Sequence, residues 1–453
     1  MLISINPATA EKIAEYPVLN AAEIESRINA ADAAGHAWRD KSLTERAVVM
    51  KAVAQALREQ KQRLAELMTV EMGKPAKEAG PEVEKAAWCA EHYAEHAETY
   101  LADQVIESDA SRSYVCHQPL GTLLGILPWN APLWIAFRYL APALMAGNTC
   151  VMKHDPHVPG CAQAIVDVFE KAGAPTDIVV NLPIKTALVE KAIRHPAIQA
   201  VSFTGSAKAG GIVAAIAASE IKHAVLELGG SDPFLVLADA DLEAAAEVAK
   251  VSRIINAGQS CIAAKRVIVD ASVYDEFIAL LKSRLENLKV GDPTQMETDV
   301  GPIARADLRA NLHRQVQSTI DSGARCLLGG ELPSGAGFYY PVTLLTDVTA
   351  DMSAFREETF GPVMVVIKAL GSEDAIRLAN DSDYGLGAGI WSQDIAAAEK
   401  IAHRLNTGQV AINGIVKTDP RLPSGGIKRS GYGRELGPHG IREFVNAKQI
   451  WIK

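Results

Sequence analysis

Cysteine is scarce in this chain, with six in 453 residues, and none of the six forms a CxxC pair. That scarcity removes a disulfide framework and a zinc-ribbon module from consideration. No His/Cys cluster has ligand spacing, so no metal site is expected. Basic residues are also short: 45 Lys and Arg stand against 54 Asp and Glu, a net charge of −9. No run of five or more Lys/Arg breaks that balance, so a nucleic-acid surface is not expected. Apolar runs never reach the ~18–20 residues that a membrane-spanning helix needs. The opening Met1-Leu2-Ile3-Ser4-Ile5-Asn6-Pro7 has no basic segment followed by an apolar stretch, so no secretory signal is expected. These absences suit a cytoplasmic protein. Cys89, Cys116, Cys150, Cys161 and Cys326 then read as small hydrophobes in a reducing compartment.

What remains is an ordinary globular composition, 48% hydrophobic and 22% charged, long enough for two or three domains. Residues 20–105 are rich in Ala, Glu, Lys and Arg and carry apolar positions at helical spacing, such as Val48, Val49, Ala52, Val53, Ala56 and Leu57. That stripe predicts core packing of helices over a sheet. From residue 112 short apolar bursts alternate with helix-length segments. Strands are predicted around 113–116, 121–127, 149–152, 177–180, 200–203, 234–237, 266–269 and 362–367. Helices are predicted over 160–173, 184–194, 206–219, 241–257, 272–289 and 394–405. Strand–helix–strand alternation implies parallel sheets covered on both faces, an α/β class of nucleotide-binding type. The tail Gln449-Ile450-Trp451-Ile452 reads as a last strand that completes a sheet elsewhere, in this chain or in another subunit.

Chemistry concentrates on Cys261, in Asn256-Ala257-Gly258-Gln259-Ser260-Cys261, and on Glu227, in Glu227-Leu228-Gly229-Gly230. A thiol among small residues and a carboxylate before two glycines can make and then hydrolyse a thioester, provided the fold joins residues 34 positions apart. Phe203-Thr204-Gly205-Ser206 ends a strand and opens a helix, which suits a pyrophosphate, although a plain turn fits the same residues. Asn130, after Trp129, could donate to an oxyanion; taken alone it fits a turn or cap at least as well. Glu358, in Glu357-Glu358-Thr359-Phe360-Gly361-Pro362, could accept ribose hydroxyls beside Phe360, or belong to a solvated acidic loop. The Gly-rich stretch Pro423–Glu435 is an ordered functional loop or a flexible one; composition does not decide.

Taken in order along the chain, Trp129-Asn130, Lys153, Phe203–Ser206, Glu227–Gly230, Gly258–Cys261, Glu358–Pro362 and the Ser424-Gly425-Gly426 loop resemble the aldehyde dehydrogenase superfamily. The resemblance runs from about residue 4 to the end. It is strongest toward the shorter, bacterial-type succinate-semialdehyde dehydrogenases, through Val151-Met152-Lys153-His154 and Asn413–Pro423. It implies two doubly wound parallel-sheet domains and a small β oligomerisation element made of a hairpin near 112–124 and the C-terminal strand. Residues 1–111 and 125–226 would form the dinucleotide-binding domain, 227–425 the catalytic domain, and 112–124 with 426–453 the oligomerisation element of a homodimer or homotetramer.

The same resemblance implies that Cys261 is the nucleophile, favoured as thiolate, that Asn130 stabilises the oxyanion, and that Glu227 activates the hydrolytic water. It places Trp129, Lys153, Gly205, Ser206, Leu228, Glu358 and Phe360 along a dinucleotide. In NAD-preferring relatives a glutamate three positions after the lysine binds the adenosine ribose; Pro156 stands there in this chain. NADP is therefore expected, or NAD, with Asp155 close enough to oppose a 2′-phosphate. Arg138 would grip a substrate carboxylate and Thr418 would assist, with Arg253 and Arg421 as other cations at hand. Ala131, Ile255, Ile262 and Ser424 depart from the pattern near the substrate channel. They leave open a neutral or aromatic aldehyde in place of succinate semialdehyde. A cysteine esterase built on Cys261 and Glu227 is the rival of another class.

Overall fold

Four helices take up the Ala- and Glu-rich N-terminal stretch: Ala21–Arg39, Leu43–Glu59, Lys61–Met72 and Ala76–Tyr100. In the computed structural model, which describes residues 1–453, Asn20 and Ser42 open the first two helices with capping boxes closed by Glu23 and Glu45. These satisfy amides that a helix start leaves unpaired. Val53, Ala56 and Leu57 of the expected stripe are buried, but Val48 is 66% exposed. At 100° per residue Val48 lies half a turn from Leu57, on the solvent face.

The helices pack on a six-stranded sheet. Its order is Gly431–Tyr432, His223–Glu227, Ile198–Thr204, Thr122–Leu127, Thr149–His154, Val179–Asn181. All neighbours run parallel except the Gly431–Tyr432 edge. Thr122–Leu127 and Thr149–His154 are buried at every position, as strands covered on both faces must be. A second, seven-stranded sheet holds Arg325–Leu328, Thr343–Thr346, Val363–Ala369, Ala264–Asp270, Asp232–Val236, Gly387–Trp391 and Gln409–Ile412, in that order. Only its Arg325–Leu328 edge is antiparallel. The α/β class and the two parallel sheets match the sequence-based expectation.

Two local expectations fail. Residues 112–124 do not form a hairpin. Arg112–Pro119 pairs antiparallel with Val445–Ile452 across its full length and with Gln104–Val105, while Thr122–Leu127 enters the middle of the six-stranded sheet. The apolar run Leu123–Leu127 needs both faces covered, which a surface hairpin cannot provide. The C-terminal strand thus finds its neighbour within its own chain. The helix expected over 241–257 stops at Ile254, because Asn256 and Ala257 take positive φ, 54° each.

Strand register places the chemistry. Ile126 lies opposite both Lys153 and Phe203, and Thr204 lies opposite Glu227. Trp129-Asn130, Lys153, Gly205-Ser206 and Glu227-Leu228 therefore emerge together at the carboxyl ends of four adjacent strands, where open α/β sheets bind ligands. Gly431 pairs with Glu227. A Cβ at Gly431 would lie 2.0 Å from the Leu226 carbonyl oxygen, so only glycine lets the C-terminal loop reach the general-base candidate.

Candidate active site

The nucleophile loop is a run of left-handed backbone, Asn256, Ala257 and Gly258 (φ 75°). Such a run is unfavourable for L residues and persists only when held from outside. Here Glu78 accepts the Asn256 N–H at 2.7 Å, and Asn256 Nδ2 donates to the Asn130 carbonyl at 2.7 Å. The Gln259 amide ties the loop to Ala304 at 2.9 Å. The fully buried Lys265 donates to the carbonyls of Ser260 (2.9 Å) and Cys261 (2.6 Å). A Cβ at Gly258 would lie 2.2 Å from the Gly361 carbonyl oxygen, so the loop also rests on the segment that carries Glu358 and Phe360.

These ties turn Cys261 into a cavity of about 350 Å³ that Asn130, Ala131, Trp134, Arg138, Ile255, Ile262 and Thr418 also line. Asn130 Nδ2 donates to the Gln259 carbonyl at 3.1 Å, leaving its second N–H without a protein partner. No carbonyl of the protein takes the Cys261 N–H. Two unpartnered N–H donors thus belong to residues that line one cavity with the Cys261 side chain, the groups an oxyanion needs.

Glu227 is buried at the end of its strand, with Oε1 free of any partner and Oε2 accepting from Arg138 Nη2 at 3.0 Å. The same Arg138 nitrogen contacts Glu435. Burial pushes the Glu227 carboxyl up to about 7, and Glu435 adds to the rise while Arg138 opposes it. That is a poise suited to a general base near neutrality. Burial pushes the Cys261 thiol up to about 12, with the Glu227 charge adding to it; Lys265 and Arg138 are outweighed. In the ligand-free protein desolvation and the Glu227 charge thus oppose the thiolate that the resemblance implies, so the proton must be lost as the sulfur reacts.

Across the loop lies a second group of expected residues. Trp129 and Phe360 meet edge to face at 5.8 Å. Ser206 caps the helix Ala207–Ser219, accepting from the Ala209 N–H at 3.3 Å. The Thr204 hydroxyl at the same strand end is buried without a partner, and Leu228 packs on Gly210, where a Cβ would lie 2.5 Å from it. Lys153 is buried beside Asp155, and burial pulls its ammonium down. Glu358 is turned inward. Its Oε1 accepts from the Gly230 N–H at 3.0 Å and lies 3.2 Å from Lys265, while Oε2 has no protein partner.

A family model described as the aldehyde dehydrogenase family matches residues 2–450. The chain belongs to the aldehyde dehydrogenase family. It is 46% identical to a probable NADP(+) succinate-semialdehyde dehydrogenase of Synechocystis, over 100% of this chain and 99% of that one. It is 44% identical to an NAD(P)+ succinate semialdehyde dehydrogenase of Escherichia coli, covering 99% and 97%. The crystal structure of the Streptococcus pyogenes succinic semialdehyde dehydrogenase with NADP+ superposes with a TM-score of 0.98 at 36% identity, with both chains fully covered.

Within this aldehyde dehydrogenase several residues of the site escaped the sequence reading. Glu435 ends the Gly-rich loop and had no visible role until Gly431 paired beside Glu227. Glu78, Lys265 and Trp134 look like ordinary helix or strand residues in sequence; only the loop they support or the cavity they line gives them meaning. Two cations expected near the substrate are engaged elsewhere. Arg253 is fully buried, donating to the carbonyls of Val363 (2.6 Å) and Thr359 (2.7 Å). Arg421 forms an ion pair with Asp419 at 2.6 Å.

Proposed function

We propose that the chain oxidises succinate semialdehyde to succinate with NADP, through a thioester on Cys261. The observation that carries this reading is that Cys261, its unpaired N–H and the Asn130 amide share one cavity, whose Arg138 holds Glu227. The semialdehyde is the substrate named for the relatives with 43–46% identity.

The thiol loses its proton to solvent, and sulfur adds to the aldehyde carbon. The oxyanion of the thiohemiacetal accepts from Asn130 Nδ2 and the Cys261 N–H, each such donor worth about 2.7–4 kcal/mol of barrier. The bound nicotinamide dinucleotide supplies a hydride acceptor. Glu227 then takes a proton from the water that attacks the thioester, and succinate leaves. An esterase reading would leave the buried Thr204 hydroxyl, the Ser206 cap and the Trp129–Phe360 pair without a purpose.

The preference for NADP rests on Asp155. Burial pushes this carboxyl up, but it accepts from His157 Nδ1 (2.6 Å) and the His157 N–H (3.0 Å), which hold it below its ordinary value. Arg305 lies 3.8 Å from its other oxygen. Its charge is thus already met within the protein, and Pro156 offers no replacement. Lys153 is then the charge available to a 2′-phosphate. Absorbance at 340 nm with succinate semialdehyde should show kcat/KM for NADP exceeding that for NAD by about tenfold or more, the worth of one charge-assisted hydrogen bond. A preference for NAD would overturn the cofactor assignment, and faster turnover of neutral aldehydes would overturn the substrate.

A homo-oligomer is part of the same reading. Val445–Ile452 is an edge strand of its three-stranded sheet and exposes Trp451 (45%) and Ile452 (44%). Open apolar edges of this kind are normally covered. Sedimentation should give a dimer or tetramer, and Trp451→Lys should weaken it; a monomeric native protein would remove the proposal.

A further inference from the structure

Asn256 and Gln259 brace the nucleophile loop with neutral amides. Lys265 braces it with a charge. Its side chain is fully buried, and taking an ammonium out of water costs far more than burying an amide that makes the same kind of hydrogen bond. Holding the loop in shape gives no reason for that cost.

The position of the charge does. Lys265 is the second residue of the strand Ala264–Asp270, directly after the loop, and its side chain reaches back to it. Nζ donates to the carbonyls of Ser260 at 2.9 Å and Cys261 at 2.6 Å, and Glu358 Oε1 lies 3.2 Å away. All three N–H donors of the ammonium thus have a partner. The Ser260 carbonyl and the Cys261 N–H belong to one peptide group. In a planar trans peptide these two bonds point in opposite directions. An ammonium on the oxygen draws electron density away from the nitrogen and makes the N–H on the other side a better donor, as hydrogen bonds in a chain polarise one another. That N–H is the one no carbonyl of the protein takes.

Asp232 works against the ammonium. It pairs in register with Ala264, the neighbour of Lys265. A Cβ on Gly230 would stand 2.8 Å from the Cys261 carbonyl oxygen and 2.9 Å from Asp232 Oδ1, so the carboxyl borders the oxygen that the ammonium holds. Oδ1 accepts from the Gly387 N–H at 3.0 Å, and Oδ2 is buried without a partner. Burial pushes this carboxyl up to about 7, and the Lys265 charge opposes the rise.

We propose that Lys265 polarises the Ser260–Cys261 peptide, making the Cys261 N–H a stronger oxyanion donor, and that Asp232 tempers the effect. Lys265 is then a positioning residue that acts through the peptide and touches neither aldehyde nor sulfur. A thioester on Cys261 with that N–H at its oxygen is the reading on which this assignment stands.

Infrared spectroscopy of the thioester carbonyl tests it. In Glu227→Gln the acyl group should persist, and difference spectra between succinate semialdehyde with ¹²C and with ¹³C at the aldehyde carbon isolate its C=O stretch. A stronger donor at the oxygen weakens that bond and lowers the frequency. Adding Lys265→Met should raise the band and slow the NADPH burst by about tenfold or more, short of the ~10²–10³ that loss of a whole donor brings. Adding Asp232→Asn instead, at pH 8 where the native carboxyl carries its charge, should lower the band. Opposite shifts distinguish polarisation from a loop that has merely lost its brace. A band that Lys265→Met leaves unmoved in protein whose mass shows the acyl group, or that both variants move the same way, would overturn the role of Lys265. Should Lys265→Met not fold, Asp232→Asn decides alone, and an unmoved or raised band overturns it. If Glu227→Gln with Lys265 intact gives neither a burst nor an acyl group, the thioester reading itself falls.

Discussion

Replacing Cys261 by alanine should lower aldehyde oxidation by at least about 10⁴-fold, the scale seen when a covalent nucleophile is removed. NADP binding, followed by fluorescence titration, should stay within about twofold of the native value. The split is expected because the loop geometry does not depend on the thiol. Its left-handed turn is held by Glu78, Asn256, Gln259 and Lys265 through backbone groups, all of which survive the substitution. The proposed cofactor residues lie on other segments, Lys153 within Thr149–His154, Trp129 just beyond Thr122–Leu127 and Ser206 just beyond Ile198–Thr204. Retained turnover would remove the covalent mechanism, whereas lost cofactor binding would mean that the substitution had collapsed the loop.

Glu227→Gln should separate the two halves of the reaction. The amide keeps the shape and can still accept from Arg138, but it cannot hold a proton on the free Oε1 position. Steady-state turnover should fall by about 10²–10⁴-fold, the usual contribution of a general base. A burst of NADPH, approaching one per site, should precede the slow phase. Intact mass spectrometry should then find the succinyl group on the protein. The pH dependence follows from burial of the carboxylate. A base works in its deprotonated form, and burial raises Glu227 to about 7, so native kcat should rise with pH through that value and be lost below it. The glutamine variant should lack this limb. Rapid turnover without an accumulating acyl-enzyme would assign the base elsewhere. A burst that is itself slowed would show that Glu227 also takes the thiol proton.

Those expectations draw on information of two kinds. Local pattern sufficed for the α/β class, for most strands of both sheets and for the residue types of the chemistry. Apolar bursts separated by helix-length segments have one common solution, and a cysteine after Gly-Gln-Ser or a glutamate before Gly-Gly keeps its meaning over a few residues. The order of those motifs carried the family assignment, because order along a chain survives where contacts are unknown.

Contacts across long sequence distance were beyond reach. Arg138, Glu227 and Glu435 lie in three separate segments and form one buried cluster, so no local pattern could show that the arginine is already occupied. Cys261 is acidic or not according to its burial and to Glu227, both set by the fold. The strand Thr122–Leu127 belongs to the central sheet because its two faces are covered by helices from elsewhere. Lys85 is one of many lysines on an amphipathic helix until Trp134 and Thr418 close around it. Residue identity and periodicity, which are local, thus determined what this protein is built from and which reaction it is equipped for. Only the tertiary structure decided which charges neutralise one another and which remain free for a ligand, because electrostatic free energy depends on distance and burial in space rather than on separation along the chain.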